Sequence, residues 1–181
     1  MRRLVLTLAL AAALLAACSS NEPGKSASSE DFKELDAAPT ALAGLYRQPS
    51  KLLGGGKEAF KKRIAALRGY PVVVNAWASW CGPCRFEFPF FQKQAIKRGK
   101  RVAFLGVNSQ DNRGEAGDFL DEYPLPFPSY EDPEGDVTRE LRVVGLPATA
   151  YYDRKGELAY LHQGGYASED KLAQDIERYA R

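Results

Sequence analysis

Cys81-Gly82-Pro83-Cys84 is the stretch of this sequence best equipped for chemistry. Two thiols at this spacing can hold part of a zinc site, close a structural bridge, or pass electrons. A protein zinc site takes four ligands, or three and a water. The other side chains of the usual cysteine and histidine type are Cys18 and His162, each distant in sequence. No metal is therefore expected. A purely structural bridge would close a very short loop and constrain the unfolded chain little. A bridge placed where a strand meets a helix is better suited to opening and closing.

The expected roles follow from position. Cys81 falls at the mouth of a helix that starts near Pro83, where unpaired backbone N–H groups and the helix dipole favour a thiolate. Pro83 fits the first turn because its missing N–H costs nothing there. Cys84 falls one turn deeper. Cys81 is thus the expected nucleophile and Cys84 the resolving thiol, with exchange passing through a mixed disulfide on Cys81. Glu87 follows three residues on, on the same helical face. Buried, it can take and return the proton of Cys84; solvated, it is an ordinary helix glutamate. Spacing leaves both readings open. Trp80, next to Cys81, is expected to shield the disulfide and meet partners.

The elements that must hold these residues can be read from hydrophobic period. Residues 72–77, Val-Val-Val-Asn-Ala-Trp, suit a strand buried on both faces. A helix over 83–97 follows, with Phe86, Phe90 and Phe91 on one side, and then a strand over 101–107. This order implies a parallel, right-handed crossover. Phe60, Ile64 and Leu67 recur at helical spacing in 57–67. Further helices are expected over 112–122, 136–142 and 168–180, the last capped by Ser168. Strands over 148–152 and 158–161 flank a tight turn at Asp153 to Gly156. Residues 35–56 stay poorly defined, although Leu42, Leu45 and Tyr46 have helical spacing. The triple glycine at 54–56 lacks the Lys-Ser/Thr of a phosphate loop. The acidic run 131–136 fails the spacing of a calcium loop and reads as a turn and helix start.

The first residues read as an address. Arg2-Arg3 precede an apolar run from Leu4 to Leu15, too short for a membrane span of about 20 residues. Leu15-Ala16-Ala17-Cys18 resembles a bacterial lipobox. That resemblance implies removal of residues 1–17 and a lipid on Cys18, which also accounts for the third cysteine. Residues 18–34 then form a lipidated, flexible tether, and 35–181 the domain. Several acyl chains would anchor the protein stably to a membrane.

The run Val72-Val-Val-Asn-Ala-Trp-Ala-Ser-Trp-Cys-Gly-Pro-Cys-Arg-Phe-Glu-Phe-Pro89 resembles the TlpA/ResA group of thioredoxin-like proteins, which includes the CcmG/DsbE proteins of cytochrome c maturation. The likeness covers about residues 53–181. It implies a thioredoxin-like α/β fold, a central mixed β-sheet flanked by helices, with the group's extra strand and helix between residues 101 and 130. It implies that Pro89 kinks the active-site helix. It implies that Glu87, rather than an aspartate at the place of Asn75, is the active-site acid. It implies a cis peptide before Pro147 in Gly145-Leu146-Pro147-Ala148-Thr149. Leu146 and Pro147 would then face the cysteines and, with Trp80, Gly82 and Pro83, receive an extended substrate chain.

Composition narrows the function. With 45% hydrophobic and 27% charged residues, the chain is not globally disordered. Losing Arg2 and Arg3 lowers the 25 basic residues to 23, against 23 acidic ones, so no nucleic-acid partner is expected. The expected function is extracytoplasmic, lipid-anchored thiol–disulfide exchange with exported proteins. Reduction, with apocytochrome c as one substrate, leads over oxidation. A membrane thiol carrier is expected to supply electrons, the protein to act as a monomer, and no cofactor to be needed. A peroxiredoxin-type peroxidase fits less well, because Val74 and Ala78 stand where its motif has proline and threonine. A binding lipoprotein without catalysis is the remaining alternative. It would keep its function with both Cys81 and Cys84 replaced.

Overall fold

The structure is a computed structural model and describes residues 31–181. The expected signal segment, the Cys18 expected to carry a lipid and most of the expected tether lie outside the described residues.

Six strands form one mixed sheet in the order β1-β4-β3-β2-β5-β6. Its centre is β2 (Val72–Trp77), every residue of which is buried. Parallel to β2 runs β3 (Ala103–Ser109), and antiparallel to it β5 (Ala148–Tyr152). The other strands are β1 (Leu52–Leu53), β4 (Ser129–Asp132) and β6 (Leu158–Gln163). Alternation along β2 sends Asn75 and Trp77 to one face. On that face lies α3 (Gly82–Arg98), which supplies Glu87 to Asn75 and Phe88 to Trp77. The same face carries α6 (Glu169–Tyr179), and α4 (Arg113–Glu122) adds Phe119, stacked on Trp77. The helices α2 (Gly56–Ala66) and α5 (Asp136–Glu140) pack against one another, with α2 also against β4.

The expected strands at 72–77 and 148–152 match β2 and β5, and the expected helices match α2 to α6 within a few residues. Three differences have physical causes. First, the N-terminal stretch that the sequence leaves poorly defined carries helical structure. A 3-10 helix, Asp31–Ala37, and α1, Thr40–Tyr46, bury Phe32, Leu35, Leu42 and Leu45. Gly99 is a glycine because this segment packs on the end of α3: a Cβ there would meet Leu35 at 2.6 Å and the Tyr46 hydroxyl at 2.9 Å.

Second, β4 was not expected, since Ser-Tyr-Glu-Asp has no strand-like apolar pattern. Its buried polar groups are bonded instead. Ser129 accepts the Trp77 indole N–H at 3.0 Å, and Asp132 accepts the Val137 and Thr138 amides at the start of α5. Third, of the expected side with Phe86, Phe90 and Phe91 only Phe91 is fully buried; the buried side of α3 is Cys84, Glu87, Phe88 and Phe91. Phe86 is 61% exposed and packs edge-on against Phe90. Helical period selects a face, but four phenylalanines within six residues leave two faces apolar.

Candidate active site

The cysteines stand where β2 hands over to α3. Cys81 is the cap residue of α3, with extended backbone, and its Sγ accepts the Cys84 amide at 3.3 Å. The two are joined by a disulfide, with Cα atoms 5.3 Å apart. Cys84 is 0% exposed and Cys81 4%. That small difference matters, because only Cys81 offers an edge to a partner. Pro89 lies within α3, which nonetheless continues to Arg98.

Beneath the pair lies Glu87, fully buried on the same face as Cys84. Its carboxyl accepts two hydrogen bonds: Asn75 Nδ2 donates to Oε1 at 2.7 Å, and the Tyr166 amide donates to Oε2 at 2.9 Å. Burial, which disfavours charge, pushes the carboxyl up to about 7, against the opposing pull of these two bonds. A carboxyl so poised can take or give a proton near neutral pH. Beside it, the Asn75 Oδ1 and Thr149 Oγ1 atoms have no protein partner, and Asn75 and Thr149 are paired across β2 and β5.

The pairing of Ala76 with Ala148 brings the start of β5 beside the end of β2. Leu146-Pro147, joined by a cis peptide, therefore meets the cysteine turn. The Pro147 carbonyl accepts the Gly164 amide at 3.0 Å, and Pro147 itself is buried while Leu146 is partly exposed. Gly82 and Pro83 are exposed. Trp80 is 61% exposed and donates its indole N–H to the Gln110 carbonyl at 3.0 Å. With Ser79, Arg85, Glu115, Phe119 and Glu122 it lines an open groove of about 330 Å³. Of the residues singled out by sequence, only Cys18 falls outside this description.

Sequence reasoning missed the loop after β6. Gly165 would carry a Cβ 3.4 Å from Pro147, 3.7 Å from Glu87 Oε2 and 3.8 Å from Pro83, so it sits where cysteine turn, cis-proline loop and acid converge. Tyr166 beside it is fixed by hydroxyl bonds to Tyr151 (2.6 Å) and Asp175 (2.8 Å) and by stacking on His162. His162 is thus a support of the strand-to-helix loop that reaches Glu87. Among the described residues, no group of three His, Cys, Asp or Glu could hold a metal ion. None of the described helices is long and apolar enough to cross a membrane.

Comparison with known proteins agrees with this geometry. The family description Redoxin matches residues 49–176. The thiol:disulfide interchange protein DsbE of Tatumella citrea is 34% identical over 167 residues, which cover 92% of this chain and 85% of that protein. The thiol-disulfide oxidoreductase ResA of Oceanobacillus iheyensis is 32% identical over 56% of this chain and 54% of its own length. A similar solved structure is that of a secreted disulfide oxidoreductase of Mycobacterium tuberculosis, homologous to the DsbE of Escherichia coli. It has 26% identity and a TM-score of 0.58, over 63% of this chain and 85% of that one.

Proposed function

We infer the function of this chain from one premise: it belongs to the Redoxin family, among the thiol–disulfide oxidoreductases of the DsbE/ResA type. Its activity is protein thiol–disulfide exchange. We propose that it acts outside the cytoplasm, held to a membrane through a lipid on Cys18, as a monomeric reductant of exported proteins, apocytochrome c among them.

The observation that carries the mechanism is the asymmetry of the pair, with Cys81 keeping a slight exposure at the mouth of α3 and Cys84 fully buried beside an acid raised to about 7. In the reduced protein, the Cys81 thiolate attacks one sulfur of a substrate disulfide. The substrate S–S bond breaks, one substrate thiolate leaves, and a mixed disulfide forms. Cys84 gives its proton to the Glu87 carboxylate and attacks Cys81 Sγ. The second substrate sulfur leaves and takes the proton back from Glu87, and the first substrate thiolate takes its proton from water. The substrate gains two electrons and two protons, and Cys81 and Cys84 end as the disulfide described above. A dithiol carrier at the membrane returns the pair to its reduced form. Trp80, Gly82, Pro83, Leu146 and Pro147 surround Cys81, and the Leu146 backbone receives the substrate chain in extended form.

The test is trapping. Cys84→Ala accumulates mixed disulfides with partner proteins and Cys81→Ala does not; the reverse pattern overturns the assignment. Direction is read from the reduction potential of the couple, near about −270 mV for a reductant and about −120 mV for an oxidant. Mass spectrometry of the processed N-terminus tests the lipid on Cys18, and an unmodified cysteine removes the anchor.

A further inference from the structure

Ala78, Ser79 and Trp80 connect the end of β2 to Cys81. They lie beyond the last paired residues of β2, yet they decide where the Cys81 sulfur stands. One local bond helps, from the Cys81 amide to the Ala78 carbonyl at 3.1 Å. The stronger hold comes from the loop after β3. Asp111 accepts the Ser79 amide on Oδ2 and the Ser79 hydroxyl on Oδ1, both at 2.6 Å. The same carboxylate accepts Asn108 Nδ2 on Oδ2 at 2.7 Å and the Asn112 amide on Oδ1 at 2.8 Å. One residue earlier, the Gln110 carbonyl takes the Trp80 indole N–H.

This loop is itself held in an unusual shape. Gln110 has φ of 52°, in the left-handed region that a side chain disfavours. Its amide donates to the Asp132 carbonyl at 3.0 Å, and Gly135 lies against its side chain. Asn112, beside Asp111, caps α4 by accepting the Gly114 and Glu115 amides. The bend is thus fixed from two sides, and its outward product is a carboxylate aimed at Ser79.

We propose that Asp111 is a positioning residue for disulfide exchange. It clamps Ser79, and with Gln110 it clamps Trp80, so that Cys81 is presented at a fixed angle at the mouth of α3. The inference rests on the exchange function proposed above. Each oxygen of Asp111 receives two donors, which uses the full acceptor capacity of a carboxylate. An amide in its place would set an N–H group against N–H donors. Asp111 acts through Ser79 and Trp80, not on the substrate.

The experiment uses the full chain, a disulfide-bonded peptide as substrate, and glutathione buffers for the potential. Asp111→Ala slows exchange about tenfold and shifts the potential of the Cys81/Cys84 couple, because the attacking sulfur loses its fixed geometry. Asp111→Asn resembles Asp111→Ala. Ser79→Ala, which removes one of the four bonds, slows exchange about twofold and adds nothing in the Asp111→Ala background, as residues acting as one unit do not add. A rate and a potential equal to those of the unaltered chain in Asp111→Ala overturn the proposal. If that variant does not fold, the same two measurements on Ser79→Ala decide in its place. An unaltered chain without exchange activity would instead sink the underlying function, so the two failures are distinguishable.

Discussion

Two carboxylates are buried among the described residues, and they are used in opposite ways. Asp132 is 2% exposed and accepts four bonds: from the amides of Val137 and Thr138 and the hydroxyls of Thr138 and Ser109, at 2.9 to 3.2 Å. Glu87 is 0% exposed and accepts two. A carboxylate has about four acceptor sites. Around Asp132 four donors converge, three on Oδ2 and one on Oδ1, so the group works as a knot that ties β3 and β4 to the start of α5. Around Glu87 half remain open, which leaves room for a proton. Burial alone does not make an acid reactive; the count of donors separates the knot from the proposed proton carrier.

The comparison can be broken first at its structural end. Asp132→Ala leaves several buried donors without a partner and should cost about 3 kcal/mol of stability in urea unfolding, while the folded fraction still exchanges disulfides. A neutral substitution would mean that donor count is not what holds this region. At the other end, Glu87→Gln should slow resolution of the mixed disulfide about tenfold near neutral pH, measured by stopped-flow exchange.

The same variant has a signature in stability. The folded state raises the Glu87 carboxyl from 4.5 to about 7, so across that window the folded chain keeps a proton that the unfolded chain has lost. Stability from this group therefore falls as pH rises from about 4.5 to about 7, and Glu87→Gln removes that slope. Asn75→Ala sharpens the contrast further. It leaves Glu87 with one donor and moves the midpoint of the pH–rate profile upward, since the Asn75 bond pulls the carboxyl down. Smallest is Gly165→Ala, whose methyl would sit at ordinary contact distance from Pro147, Pro83 and Glu87. Folding should be unaffected, and exchange with a protein substrate should fall about twofold by steric crowding near the pair.

The strongly patterned parts of the fold are legible in the sequence alone. Val72 to Trp77, the Cys81-to-Cys84 turn and the hairpin around Asp153 each combine apolar period with unambiguous turn residues. β4 is not legible and α1 only in the spacing of Leu42, Leu45 and Tyr46, because their burial depends on partners far along the chain: Trp77 for Ser129, Val102 for Tyr46. The site divides in the same way. Cys81, Cys84 and Glu87 lie within seven residues of one another, so local spacing reveals them. Asn75 could be noted as standing where a related fold keeps an aspartate. Its contact with Glu87, and the approach of Tyr166, Gly165 and Asp111, come only from the order of strands in the sheet. The misread face of α3 shows the limit of period alone, since Phe86 and Phe88 are chemically identical and only packing tells them apart.

The close fit of Gly99 beneath Leu35 and Tyr46 sets the polarity of the whole molecule. It pins the beginning of the described chain to one pole of α3, while Cys81 stands at the other. A helix of 17 residues is about 25 Å long, so the two poles are separated by most of the width of the domain. Anything fastened to the N-terminal side holds the protein by its base. The disulfide then stands at the pole opposite that point of attachment, with the length of α3 between the two.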